Sequence, residues 1–353
     1  MDFFGGQSIS DFDTDAVPYM KATEAEIRAD FPDADEDFIW KKLIKRTHQA
    51  MQMVVYNLNT LHSRAGSQVP FSSLNCMLFD DLPLEDQKYA ALVCQALLEE
   101  YRKGMGKGEQ PIFPSILCRV KNGVNGNPGD PYYYLFELAT EVAADRLNPT
   151  FIMVDAPAHL YQYEAGHKPN KMGCRTAIYK NVNGPDGNEG RGNIFPVTIN
   201  LVRLGIEAKL HCPDNEEERV EYLCSSLQEM LLTARKSIFH RYGVLKNLKG
   251  KDMPFAIGQN LIKGSEEVGP EDSIEPILKQ NTFGIGFIGL AETLTAVIGE
   301  HHGQSQKAQD LGLRLVKMIY DFCDEYTKKD KLNYSCYATP RLVTSCGTLY
   351  GDI

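Results

Sequence analysis

The stretch KMGCRTAIYKNVNGPDGNEGRGN, residues 171–193, sets one cysteine between glycine-rich turns and continues as a long polar hairpin. Lys171, Arg175, Lys180 and Arg191 crowd the run. Buried structural thiols sit in apolar contexts, whereas Cys174 lies between Gly173 and Arg175. A cationic neighbour lowers a thiol pKa and favours a nucleophilic cysteine. A Cys/His hydrolase would also need a base, and His62, His159, His167 and His240 are candidates. On spacing alone, a structural and a chemical role for Cys174 stand even.

A second polar cluster lies in NLNTLHSRAGSQVPFSS, where Asn57, Asn59, Thr60, His62, Ser63, Arg64, Gln68, Ser72 and Ser73 surround a turn. A capped helix end with solvated side chains accounts for part of them. The central arginine and the strand that follows make the rest a candidate ligand-reading surface. Gly284, Gly286 and Gly289 match G-x-G-x-x-G, but no ribose-binding acid follows on a second strand. These glycines are better read as close packing of a strand end onto a helix that starts near Leu290. His301 and His302 are adjacent at a helix end, so their side chains point different ways. A helix C-terminus there favours imidazolium without any metal.

The elements that must position these groups follow an α/β pattern. Apolar residues at helical spacing mark a helix over 36–61, with further helices over 85–103, through YYYLFELATEVAADRL, and over about 215–242. GGQSIS and the alternating FSSLNCMLF read as strand, as do PIFPSILCRV, PTFIMVD and FPVTINLVRL. LKGKDMPFAIGQNLIKGSEEVGPEDS is the one linker candidate.

A length of 353 residues with 43% hydrophobic and 24% charged residues suits an ordinary globular protein with a sizeable core. The net charge of −10 argues against non-specific binding to nucleic acid or an anionic membrane, but allows a local basic pocket. No apolar run of about 18 residues exists to span a bilayer. The acidic N-terminus lacks a secretory pattern. Nine cysteines at irregular spacing, with no C-x-x-C, form neither a disulfide framework nor a zinc site. A reducing, cytoplasmic setting is expected, with most thiols serving as small core residues.

Four stretches, in order and spanning residues 5–340, resemble the anaerobic ribonucleoside-triphosphate reductase family. They are GGQSISDFD; NTLHSRAGSQVPFSSLN; MGCRT with GRGN and TINLVRLG; and GIGFIGLAETL with GEHHGQS, leading to YATP. The resemblance implies the ten-stranded α/β barrel of glycyl-radical enzymes, with a finger loop that carries a cysteine to its centre. Residues 1–340 would be the barrel core, incomplete at both ends, and 341–353 a non-matching tail. No regulatory ATP-cone, zinc module or glycyl-radical loop is expected in these residues, so Gly347 and Gly351 are not the radical glycine. The implied cofactor is a glycyl radical on a residue outside this chain, and no metal is expected within it.

The resemblance places Cys174 as the thiyl residue that takes the 3′ hydrogen of a ribonucleotide, and Asn193 at the ribose hydroxyls. His62, Ser63, Arg64 and Gln68 would line the substrate pocket. Thr339 would begin the loop that holds the phosphates with backbone N–H groups. The implied partners are a ribonucleoside triphosphate, nucleotide effectors, a radical-SAM activating enzyme and a second copy of the chain, with no membrane and no direct nucleic acid. Alone, the chain is expected to be inactive. Two alternatives are another glycyl-radical enzyme acting on a small organic acid, against which GRGN and HSRAG…Q argue, and a non-catalytic nucleotide-binding remnant.

Overall fold

The computed structural model describes residues 6–61, 69, 71–173 and 176–339. The chain divides into two compact units, residues 1–177 and 178–353. In the first, strands β1 (Gly6–Ile9), β2 (Phe71–Cys76), β3 (Ser115–Val120) and β4 (Thr150–Met153) form a sheet in that order. Every pair is parallel, so each return needs a crossover. Helices α1 (Phe12–Asp30) and α2 (Glu36–Thr60) make the first, α3 (Leu84–Lys103) the second and α4 (Tyr133–Arg146) the third; α5 (Pro157–Glu164) follows β4.

Local signals set these boundaries. The Asp35 carboxylate accepts the Phe38 N–H at 2.7 Å and opens α2, whose first turn carries Glu36 and Asp37 beside the positive end of the helix dipole. Helix α1 has no counterpart among the elements expected from pattern. Pro18 lies inside it and only Val17, Met20 and Ile27 are its buried apolar residues, so its periodic signature is thin.

Alternation along the strands sorts side chains by face. Leu74 and Cys76 of β2, and Ile116 and Cys118 of β3, join Leu43 and Val55 of α2, Val93 and Leu97 of α3 and Leu135 of α4 in one core. Ser73, Asn75 and Arg119 alternate with them, and all three are buried. Asp13, at the start of α1, is fully buried too. One of its oxygens accepts the Met77 N–H at 2.7 Å and the Cys94 thiol at 3.2 Å, while Arg119 stands 3.9 Å from the other. Burial pushes the Asp13 carboxyl up from 3.8 to about 6, against the pull of Arg119.

In the second unit, β5 (Asn193–Asn200), β6 (Thr282–Ile288) and β7 (Asn333–Ala338) form a parallel sheet in sequence order. Its helices are α6 (Leu201–His211), α7 (Glu216–Leu245), α8 (Pro254–Gly258), α9 (Glu275–Gln280), α10 (Leu290–Ile298) and α11 (Gln306–Asp330). Ile199, Phe283, Ile285, Phe287 and Tyr334 face the helices and pack with Leu204, Leu227, Leu294 and Leu315.

Three expectations are corrected here. FPVTINLVRL is not strand throughout: it turns helical at Leu201, because the Asn200 side chain caps α6 by accepting the Arg203 N–H. The supposed linker is packed, since Ala256, Ile257 and Ile262 form a small core with Ile274 and Ile277. His301 and His302 lie beyond the end of α10, which stops at Ile298 with Gly299 in the left-handed conformation. Among the described residues, no helix is long and apolar enough to cross a membrane.

Gly289 is a point of close approach, but to α6 rather than to the helix that starts at Leu290. Its φ is +77°, and a β-carbon there would lie 2.0 Å from Val202 Cγ2. Gly289→Ala is expected to destabilise the second unit by roughly 1–3 kcal/mol, read as a lower urea midpoint, with partial recovery in Gly289→Ala/Val202→Ala. For Asp13, the folded state holds the proton more tightly than the unfolded chain does. Its stabilising contribution is therefore full below pH 3.8 and is lost as pH rises through about 6. Between those limits, wild-type stability should fall relative to Asp13→Asn by on the order of 3 kcal/mol, measured by urea titrations across pH.

Candidate active site

In the first unit, the residues that lead into Cys174 are held by the polar face of the sheet. The Asn75 amide accepts the Lys171 N–H at 3.0 Å and donates to the Lys171 carbonyl at 3.1 Å. Ser8 Oγ donates to the same carbonyl at 2.9 Å, and the Gly173 N–H donates to Ser73 Oγ at 2.9 Å. Each residue from 170 to 173 except Met172 is thus tied to a strand or its approach, since Asn170 accepts from Arg119 at 3.0 Å. Met172 instead pairs with Thr176 in an antiparallel bridge, with three residues between them. Gly173 has φ +61°, and a β-carbon there would come 3.1 Å from the Phe71 ring. Burial holds the Lys171 ammonium below the usual lysine range.

Cys174 itself lies outside the described residues, as do His62, Ser63, Arg64 and Gln68. Their neighbours in the polar cluster have structural work. Asn59 donates to Val55 and Phe113 carbonyls and accepts the N–H groups of Ile112 and Phe113, and Thr60 donates back to Tyr56. Of the other candidate bases, His159 sets Nδ1 2.9 Å from the Met153 carbonyl, and His240 is exposed on α7. Among the described residues, no group of three or more His, Cys, Asp or Glu side chains is placed to hold a metal.

In the second unit, Arg191 is fully engaged by backbone carbonyls. Its buried guanidinium donates to the carbonyls of Gln280 at 2.6 Å, Tyr179 at 2.8 Å and Lys180 at 2.9 Å, and also to that of Gly187. Burial pushes its pKa down to about 10. Lys180 pairs with Asp186 at 2.9 Å. Asn333 fastens the same segment, accepting the Val182 N–H at 2.8 Å and donating to Asn181 Oδ1 at 3.1 Å.

This frame delivers Asn193 to the start of β5. Its Oδ1 accepts from Thr282 Oγ1 at 3.3 Å, and its amide lies 3.0–3.1 Å from the position a Gly284 β-carbon would take. Thr339 donates its N–H to the Phe287 carbonyl at 2.9 Å, and its hydroxyl meets that of Thr198 at 3.0 Å. Asn193 and Thr339 thus belong to one sheet, at β5 and at the end of β7. Gly284 and Gly286 do not pack on α10: their bare Cα atoms lie under the Tyr337 ring, whose carbons come within 2.6 and 3.1 Å of the would-be β-carbons.

Ser8, Ser73 and Asn75 are positioning residues that were not singled out as such by type. The available signal was the i, i+2 spacing of Ser73 and Asn75 opposite Leu74 and Cys76. Removing their hydrogen bonds leaves buried backbone groups unpaired, at roughly 1–3 kcal/mol. Asn75→Ala is expected to lower the thermal midpoint and speed amide exchange at Lys171, whereas Ser73→Ala should speed it at Gly173, both read by hydrogen-exchange mass spectrometry.

With this geometry in hand, known proteins are informative. A family model described as anaerobic ribonucleoside-triphosphate reductase matches residues 1–345. The anaerobic ribonucleoside-triphosphate reductase of Escherichia coli (strain K12) is 27% identical over 348 residues, covering 96% of this chain and 46% of that protein. The enzyme of the same name from Enterobacteria phage T4 is 26% identical over 346 residues, covering 96% of this chain and 53% of that one. The chain therefore spans about half the length of the curated relatives it matches. The crystal structure of the anaerobic ribonucleotide reductase from Thermotoga maritima with citrate in the active site matches with a TM-score of 0.60 at 12% identity, covering 98% of this chain and 58% of that one. At that identity the likeness shows the fold alone, an α/β architecture in which the described strands form two sheets, each parallel throughout.

Proposed function

Because the chain belongs to the anaerobic ribonucleoside-triphosphate reductase family, we propose that it is the barrel part of a large subunit that reduces ribonucleoside triphosphates to 2′-deoxyribonucleotides. The observation that carries this reading is the family match over residues 1–345, which includes every motif stretch around Cys174, Asn193 and Thr339. Residues 1–340 are the barrel core in this reading.

Cys174 is the hydrogen-abstracting residue. A glycyl radical, the cofactor of this enzyme class, would supply the oxidising equivalent that converts its thiol to a thiyl. The ribose C3′–H bond then breaks homolytically as the S–H bond forms, and the hydrogen returns after the 2′ oxygen has left as water. The two electrons come from a reductant, formate or a thiol protein. A weak S–H bond lets hydrogen move both ways, and excluded water protects the radical. The ties from Ser73 and Asn75 to residues 171 and 173 support the reading, because hydrogen transfer demands a fixed donor–acceptor distance.

Asn193 holds the ribose hydroxyls, and Thr339 begins the phosphate loop. His62, Ser63, Arg64 and Gln68 complete the substrate pocket. The setting is cytoplasmic and the assembly a homodimer controlled by nucleotide effectors, with a radical-SAM enzyme as activator.

The test is reconstitution of the chain with the remaining portions of the large subunit and the activating enzyme under anaerobic conditions. Cys174→Ser is expected to abolish ribonucleotide reduction while nucleotide affinity stays within about twofold. An alcohol O–H is too strong to exchange hydrogen with a ribose C–H, and loss of rate without loss of binding marks a group that acts only in the chemical step. Substantial turnover by the serine variant would make the thiol structural.

A further inference from the structure

Tyr337 lies between the two described residues to which the proposed function gives substrate contacts. Its strand partner is Gly286, whose own partner on the other side is Thr198, so Thr198, Gly286 and Tyr337 form one row across the sheet. That row lies on the face opposite Ile199, Phe287 and Cys336, which pack under the helices. The hydroxyl end of the ring lies beside Thr339: Tyr337 Cζ and Thr339 Oγ1 flank the Gly286 β-carbon position at 3.1 Å and 2.3 Å, and Thr339 Oγ1 is 3.0 Å from Thr198 Oγ1. The ring extends toward the start of β6, where its Cε1 and the Asn193 amide flank the Gly284 β-carbon position, at 2.6 Å and 3.0–3.1 Å.

The two glycines make this placement possible. A methyl group at Gly286 would meet Thr339 Oγ1 at 2.3 Å and the Tyr337 ring at 3.1 Å. A methyl group at Gly284 would meet the ring at 2.6 Å. Neither glycine has a positive φ, so space rather than backbone conformation excludes side chains at both positions. The bare strand lets an aromatic ring lie flat, with one edge at Asn193 and its hydroxyl at Thr339. Tyr337 and Thr339 are partly exposed and Thr198 is exposed, so the hydroxyl group cluster is open to a ligand.

Resting on the proposed reading of Asn193 and Thr339, we infer that Tyr337 is a further substrate-binding residue, which takes the sugar–phosphate junction of a ribonucleoside triphosphate with Thr198 beside it. A ligand whose ribose hydroxyls reach Asn193 and whose phosphates reach the segment at Thr339 must pass over this ring. The phenol is the hydrogen-bonding group available midway. It carries no charge, so it contributes a directed hydrogen bond to a 5′ or α-phosphate oxygen rather than bulk attraction.

The test uses the full 353-residue chain and saturation-transfer NMR titrations with each of the four common ribonucleoside triphosphates and the matching nucleosides. Tyr337→Phe keeps the ring over the glycines and removes only the hydroxyl. It is expected to weaken triphosphate binding about 10- to 100-fold, the value of one hydrogen bond to a charged acceptor, and nucleoside binding less than twofold, with an unchanged thermal midpoint. Thr198→Val should act in the same direction. Unchanged triphosphate affinity in Tyr337→Phe, or equal losses for nucleoside and triphosphate, overturns the inference and leaves the reductase reading in place. A wild-type chain that binds no ribonucleoside triphosphate overturns that reading, and this inference with it.

Discussion

The rest of the structure depends on one constraint: parallel strands with helices against one face must present two chemically different faces. Parallel sheets usually bury both faces in apolar material. Here the helix-facing positions follow that rule, with Leu74, Cys76, Ile116 and Cys118 in one unit and Ile199, Ile285 and Phe287 in the other. The alternating positions carry serine, asparagine, arginine, glycine, threonine and tyrosine, with the buried Leu117 among them. A slip of one residue would exchange the two sets and put Asn75 or Tyr337 into an apolar core. Register is therefore set by the helices, and the chemistry of the other face inherits it.

The second theme is how irregular backbone survives burial. Among the described residues of 168–192 there is no long helix or strand, so most of their peptide groups lack ladder partners and must find others. Asn75 serves both the N–H and the carbonyl of Lys171, and Arg191 serves four carbonyls at once. A guanidinium suits the second task because its five donors are fixed in a plane, whereas a lysine offers three on a flexible stem.

Much of the architecture was legible in the chain before its structure. The helices at 36–60 and 84–103 and the long one from 216 carry broad apolar stripes or clear caps. What escaped had thin or conflicting signals. Pro18 interrupts the pattern of α1, and the change from strand to helix at Asn200 turns on one capping side chain in an otherwise β-like run. The glycines of GIGFIG divide their work by face, which no spacing rule separates: Gly289 admits Val202, while Gly284 and Gly286 admit Tyr337. At the site, Asn193 and Thr339 were marked by family resemblance, whereas Ser73, Asn75 and Tyr337 needed coordinates. Their importance lies in what they touch across 96, 100 and 139 residues of chain or across a sheet.

The bond from the Val182 N–H to Asn333 Oδ1 joins positions 151 apart, and it has a consequence for how the molecule is made. Closing so long a loop costs conformational entropy that later contacts must offset, which slows the step. On a ribosome, the segment that precedes β5 cannot take its final partners until β7 has been synthesised. Asn193 and the turn before it therefore settle only after β7 is made, and until then their peptide groups must rely on water.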